Sequence, residues 1–204
     1  MAGLRTAARA ICDLARSVFQ GKRKVIPSER VINEFFKYGS QYYVAGRYGM
    51  FAGLMPVAGN VHHHAIEMLL KGTLSSTMDL DELKTKLRHR LPRIWREFKK
   101  QATDPTLTKF DKVIRELNKF EDIRYPDNLL RRGASLLFDI TKAGASQSFV
   151  SGVSVPQYRL CLEDIDELVE MIFRIANRNS AVFLGFMKDE ARQVLRQDNQ
   201  YFTS

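Results

Sequence analysis

The chain has 204 residues, 45% of them hydrophobic and 27% charged, with a formal net charge of +9. It is long enough to bury a core without staples, and its composition excludes a disordered chain. Two distant cysteines, Cys12 and Cys161, exclude a disulfide framework and a cysteine zinc set.

Residues 4–20 read as an amphipathic helix, because Leu4, Ala8, Ile11, Ala15 and Val18 recur at helical spacing. A basic loop, Lys22-Arg23-Lys24, follows. Residues 1–27 are therefore an N-terminal basic helix and loop ahead of one domain over 28–204. The Arg-rich, acid-poor start also has the composition of an organelle transit peptide. A second helix is expected from Glu29 to Arg47, with Ser28 as its cap and Val31, Ile32, Phe35, Phe36, Tyr42 and Tyr43 as its apolar stripe. Gly46, Gly49, Gly53, Pro56 and Gly59 then predict a poorly helical stretch. Asn60 is the candidate cap of a helix through Leu70, stopped by Gly72. Asp79 and Glu82 have the spacing of a capping box. After it, Leu80, Leu83, Leu87, Leu91, Trp95 and Phe98 hold a helical repeat that Pro92 should kink. A helix over 106–121 is stopped by Arg124-Tyr125-Pro126-Asp127. From Gly133 to Leu162 β-formers mix with Ser and Gly, which predicts a β-hairpin or small sheet before the last long helix, 163–183. A charged helix over 188–197 follows. The fold class is mainly α.

Three adjacent histidines, His62-His63-His64, stand in the third helix. Consecutive helical side chains point about 100° apart and cannot converge on one metal. His64 is expected to line the core beside Ala65 and Met68. His63, Glu67 and Lys71 form an i, i+4 ladder on the more polar face. His63 with Glu67 is half of a metal site for which the sequence shows no other half, so neither a metal nor another cofactor is expected. Over 84–100 eight bases oppose one acid, Glu97. That run is either a solvated face or a phosphate-contacting stripe. No aromatic side chain interleaves there, so base stacking is not suggested. Phosphate-cradling glycine motifs and recognisable nucleophile motifs are absent. The acids of Asp164-Ile165-Asp166-Glu167 read as partners of a helix dipole.

In order, these segments resemble the HEPN domain family, all-α domains named for nucleotide binding in higher eukaryotes and prokaryotes. Tyr42-Tyr43-Val44-Ala45-Gly46-Arg47 is similar to the end of the family's first long helix, and His63-His64-Ala65-Ile66-Glu67-Met68-Leu69-Leu70-Lys71-Gly72 to its second. Leu87-Arg88-His89-Arg90-Leu91 with Ile94-Trp95 resembles its His-x-Leu helix, and Ile123-Arg124-Tyr125-Pro126-Asp127 an element of one branch. The likeness covers roughly residues 30–183 and is weakest over the 133–162 insert. It implies a HEPN-like helical bundle that pairs as a homodimer. The family's ribonucleases carry an arginine, four to six residues, then a histidine. In Arg178-Asn179-Ser180-Ala181-Val182-Phe183 a phenylalanine stands where the histidine would be. Phenylalanine exchanges no proton, so acid–base cleavage by that arrangement is excluded.

The reading that follows is a non-catalytic module binding RNA or a nucleotide, through Arg47, Lys84, Arg88, His89, Arg93, Arg124 and Tyr125. His89 and Arg124 enter because the resemblance places their segments near the family's cleft. A dimeric structural or regulatory domain with no nucleic-acid role is the second reading. A ribonuclease with a non-standard site built on His63, His64 or His89 is the third. Few cysteines and no apolar run near the roughly 20 residues of a membrane span predict a cytoplasmic protein without membrane contact.

Overall fold

A computed structural model describes residues 28–144, 155–185 and 187–202. The expected N-terminal helix, the basic loop 22–24 and the β-rich tract 149–154 lie outside the described residues. The first two described helices form a hairpin: α1 is Ser28–Phe51 and α2 is Met55–Leu74. On α1, Ile32, Phe36 and Tyr43 are buried as the stripe predicts, Val44 is buried as well, and Tyr42 is exposed. The glycine-rich stretch is a correction. Helix α1 runs through Gly46 and Gly49, and α2 runs through Gly59 and on past Gly72. These glycines face other chain segments rather than ending helices. A β-carbon on Gly46 would lie 2.8 Å from the His62 ring, and one on Gly59 2.0 Å from the Phe120 ring. Close approach thus outweighs the low helix propensity of glycine. The turn itself uses Gly53 at φ +73°, a conformation glycine adopts without strain. Pro56 sits in the first turn of α2, where no intrahelical N–H is lost. Asn60 is no cap; its amide donates to the Pro56 carbonyl at 3.0 Å within α2.

The capping box is present: Glu82 N–H donates to Asp79 at 2.8 Å and Asp79 N–H to Glu82 at 3.3 Å. The long kinked helix expected after it is instead broken. The short α3, Leu80–Glu82, passes into a wide π turn, Leu83–Leu87, and the chain then bends before α4, Leu91–Ala102. Pro92 lies in the first turn of α4, where proline is tolerated, so the chain breaks upstream of it rather than kinking at it. A 3₁₀ turn (Pro105–Phe110), α5 (Asp111–Lys119) and a second 3₁₀ turn (Phe120–Ile123) replace the single helix expected over 106–121. Its predicted inward residues, Leu107, Phe110, Val113, Ile114, Leu117 and Phe120, are all buried. Helix α6, Pro126–Arg132, was not anticipated.

Strands β1, Ser135–Asp139, and β2, Gln157–Cys161, pair in parallel, Ser135 opposite Gln157 and Asp139 opposite Cys161. The expected insert is therefore a small sheet and not a hairpin. Parallel strands need a crossover, and the chain between them is too long for a tight turn. Helix α7, Leu162–Ile175, ends at Asn177 with φ +52°. The short α8, Ser180–Leu184, follows, capped by the Asn179 side chain, and then α9, Asp189–Arg196. The model is mainly helical, with nine α-helices among the described residues. None of them is long and apolar enough to cross a membrane.

A buried polar network ties the late helices to α1. Arg47 pairs with Asp166 of α7, and both side chains are essentially without solvent contact. The same guanidinium donates to the carbonyl of Val194 at 3.1 Å and to that of Gln197, at the end of α9. Tyr43 donates its hydroxyl to Asp166 at 2.6 Å, and Asn199 donates to Tyr43 at 3.1 Å. Burial raises the Asp166 carboxyl above its ordinary range, and the Arg47 charge and donors oppose that shift. Removing one member of such a pair strands the other charge. We expect Arg47→Met to lower stability by about 3–5 kcal/mol, read from denaturant unfolding, and Asp166→Leu in that background to restore part of it. A single-variant loss below about 1 kcal/mol would contradict this account.

Candidate functional site

The bend between the π turn and α4 is a basic elbow, and its backbone is strained. Arg88 has φ +53° and ψ −133°, a conformation costing a non-glycine residue about 1–3 kcal/mol and persisting only where flanking contacts enforce it. Those contacts are visible. Leu87 and Leu91 are buried on either side. Between them the Nδ1–H of His89 donates to the Glu67 carboxylate, at 2.9 Å from Oε1 and 3.2 Å from Oε2. Glu67 is fully buried on α2, and the Lys71 ammonium one turn on holds the same carboxylate at 2.7 Å. The His89 side chain is itself 64% exposed. The carboxylate fixes the imidazole tautomer and, through it, the direction of the elbow.

The histidine triplet departs from expectation. Helix α2 packs against α1, α4, α7 and the Phe120 turn, leaving outside a strip of Val61, His64 and Met68. The predicted polar ladder His63, Glu67 and Lys71 is buried, and His64 is the partly exposed member. The ring of His64 meets Tyr42 edge-on at 4.7 Å. His63 Nδ1 lies 3.1 Å from the Leu117 carbonyl, which makes it the donor. Its Nε2 is buried without a hydrogen-bond partner, 3.8 Å from Glu67 and 4.0 Å from Glu121. The partner of Glu67 that the sequence did not show is His89, which only the elbow brings to α2. No three His, Cys, Asp or Glu side chains among the described residues are grouped to hold a metal ion.

Of the seven predicted contacts, Lys84, Arg88, His89 and Arg93 gather on or beside the elbow and are exposed. Arg124 and Tyr125 are exposed as well, with Tyr125 68% accessible and Arg124 paired to Glu121 at 3.4 Å. Desolvation lowers the pKa of His64, the Glu67 carboxylate opposes that shift, and His63, His89 and Arg124 add smaller lowering effects. Arg47 is a correction: it is buried in the Asp166 network and has no surface to offer a ligand. Within the basic run, Lys86 pairs with Glu82, Lys99 with Asp111 and Lys100 with Glu97. Lys84, Arg88, Arg90 and Arg93 make no ion pair among the described residues.

The comparisons with known proteins add no name: no family model, no curated protein and no solved structure matches the chain.

His62 supplies a test of the α1–α2 contact beneath this site. Both ring nitrogens are buried without partners, and burial, reinforced by the Arg47 charge, pushes its pKa from 6.5 down to about 3. The unfolded chain therefore binds a proton on this residue below pH 6.5 that the folded chain refuses. Stability should fall as pH drops from 6.5 toward 3, with about 2 kcal/mol lost from this residue by pH 5. His62→Leu should flatten that slope in unfolding measurements at stepped pH. An unchanged slope would assign it to another group.

Proposed function

We propose that the protein is a non-catalytic, HEPN-type cytoplasmic module that binds RNA or a nucleotide by its phosphates through the basic elbow. The observation that carries the reading is four exposed bases, Lys84, Arg88, Arg90 and Arg93, without ion pairs among the described residues, on a strained bend anchored to a buried carboxylate. Backbone strain tends to be kept where function uses it. Phosphate contacts made by such cations give binding that weakens steeply with salt. The surroundings of the Arg178-Asn179 tract support the non-catalytic part. Arg178 is bound to Glu29, and Phe183 packs against Phe36 and Phe173.

With a short labelled single-stranded RNA, the native chain should bind in a salt-sensitive way. Replacing Arg88 and Arg93 with Ala should weaken binding and make the log–log salt slope shallower by about 1.4. Unchanged affinity and slope in that variant would remove the elbow from the interface. Shortening of the RNA in the same tubes, lost in His89→Ala, would replace the module by a nuclease built on the Glu67–His89 pair.

A second reading has its own observation. Tyr38, Tyr42 and Tyr48 are exposed along α1, and an apolar groove between α1 and α9 is lined by Val44, Ala45, Tyr48, Met187, Ala191 and Val194. Exposed apolar surface of this kind marks interaction sites. This face supports the homodimer. Light scattering on the purified chain should show a dimer that Tyr48→Glu converts to monomer; a native monomer at micromolar concentration would dismiss it.

A further inference from the structure

Next to the elbow, Arg90, Pro92, Arg93 and Arg96 meet Asn118 of α5 around an open cavity of about 520 Å³. Three guanidinium groups from successive turns thus border one cavity with an amide opposite. Arg90 and Arg93 make no ion pair among the described residues, and Arg96 has only the Glu97 carboxylate beside it, at 3.5 Å with 63% of its own side chain exposed. The first turn of α4 holds no acid, although the partial positive charge of a helix start favours one. Like charges at i, i+3 spacing repel. The fold therefore concentrates positive potential at one cavity, and among the described residues Glu97 is the one acid paired with any of its three arginines.

We infer that this cavity is the phosphate subsite of the module: a phosphate group seats among Arg90, Arg93 and Arg96, and the Asn118 amide contacts its oxygens or the adjoining sugar hydroxyl. Guanidinium forks match phosphate oxygens in pairs, which a lysine face does not do. The inference rests on the elbow reading and extends it to Arg96 and to Asn118, which lies outside the basic run. The phosphate belongs either to an RNA strand or to a free nucleotide, and the two sources are separable.

The test uses the full chain, a short labelled single-stranded RNA and, separately, ATP. The variant Arg90→Gln/Arg96→Gln is compared with Arg30→Gln/Lys37→Gln on α1, which removes equal charge away from the cavity. The cavity variant should bind RNA about tenfold more weakly at moderate salt, with a slope shallower by about 1.4, while the α1 variant stays near native. If native chain binds ATP but not RNA, and only the cavity variant loses it, the subsite stands and its ligand is a nucleotide. If both variants lose RNA affinity equally, or the cavity variant loses none, the subsite is wrong and the elbow reading survives. If native chain binds neither probe at low salt, both fall.

Discussion

Two opposite charges withdrawn from water, Arg47 and Asp166, constrain everything around them. Desolvating an ion pair is costly, and the cost is offset only where the remaining donors and lone pairs are also satisfied. Here they are satisfied by the chain's late elements: the carbonyls of Val194 and Gln197 take guanidinium donors, and Tyr43 supplies the second donor to Asp166. The arrangement closes only when α7 and α9 stand beside α1. Its cation also reinforces burial in keeping His62 neutral. With α1, α7 and α9 tied, α2 is enclosed, and its ladder of Glu67 and Lys71 is held where His89 can reach it.

Apolar periodicity carried most of the fold into view. Most of the α1 stripe, the Leu87–Phe98 repeat and the apolar residues of α5 are buried or partly buried as the spacing indicates, Tyr42 excepted, and the capping box at Asp79 is a local signal that stayed local. What was illegible depended on distant partners. Arg47 reads as a spare surface base because its acid lies 119 residues away. The glycines of α1 and α2 read as breakers because propensity describes an isolated helix, while these are packed against side chains that the sequence does not place. The polar and apolar faces of α2 were exchanged because a helix surrounded by neighbours buries its polar side too. The sequence left a hairpin and a small sheet both open, since alternation fixes a strand's faces and says nothing of its direction; the strands form the small sheet.

The candidate site was half legible. A run of bases is plain in any sequence, but whether it is a solvated face or a binding surface turns on pairing and shape. Three of its lysines have acidic partners, and the bases at the bend make no ion pair among the described residues. A strained, anchored bend fixes the backbone that carries these side chains, so little backbone freedom is left to lose on engaging a ligand. Glu67 and Lys71 had a signal in their i, i+4 spacing with His63, and His89 had one in its position between two buried leucines. Nothing short of the fold joins the two.

The bare contact between the first two helices has a consequence for how the hairpin assembles. Side-chain layers between helices can often slip by a residue and repack, because methyl groups adjust. Here the seam is partly main chain: Gly39 lies under Leu69, Gly46 under His62 and Gly49 beside Ala58. Sliding α2 along α1 would carry each notch off its side chain and bring a β-carbon into its place. The hairpin behaves like a key cut with three notches, seating at a single depth. The seam thereby fixes where Glu67, the anchor that His89 of the elbow reaches, stands along α1.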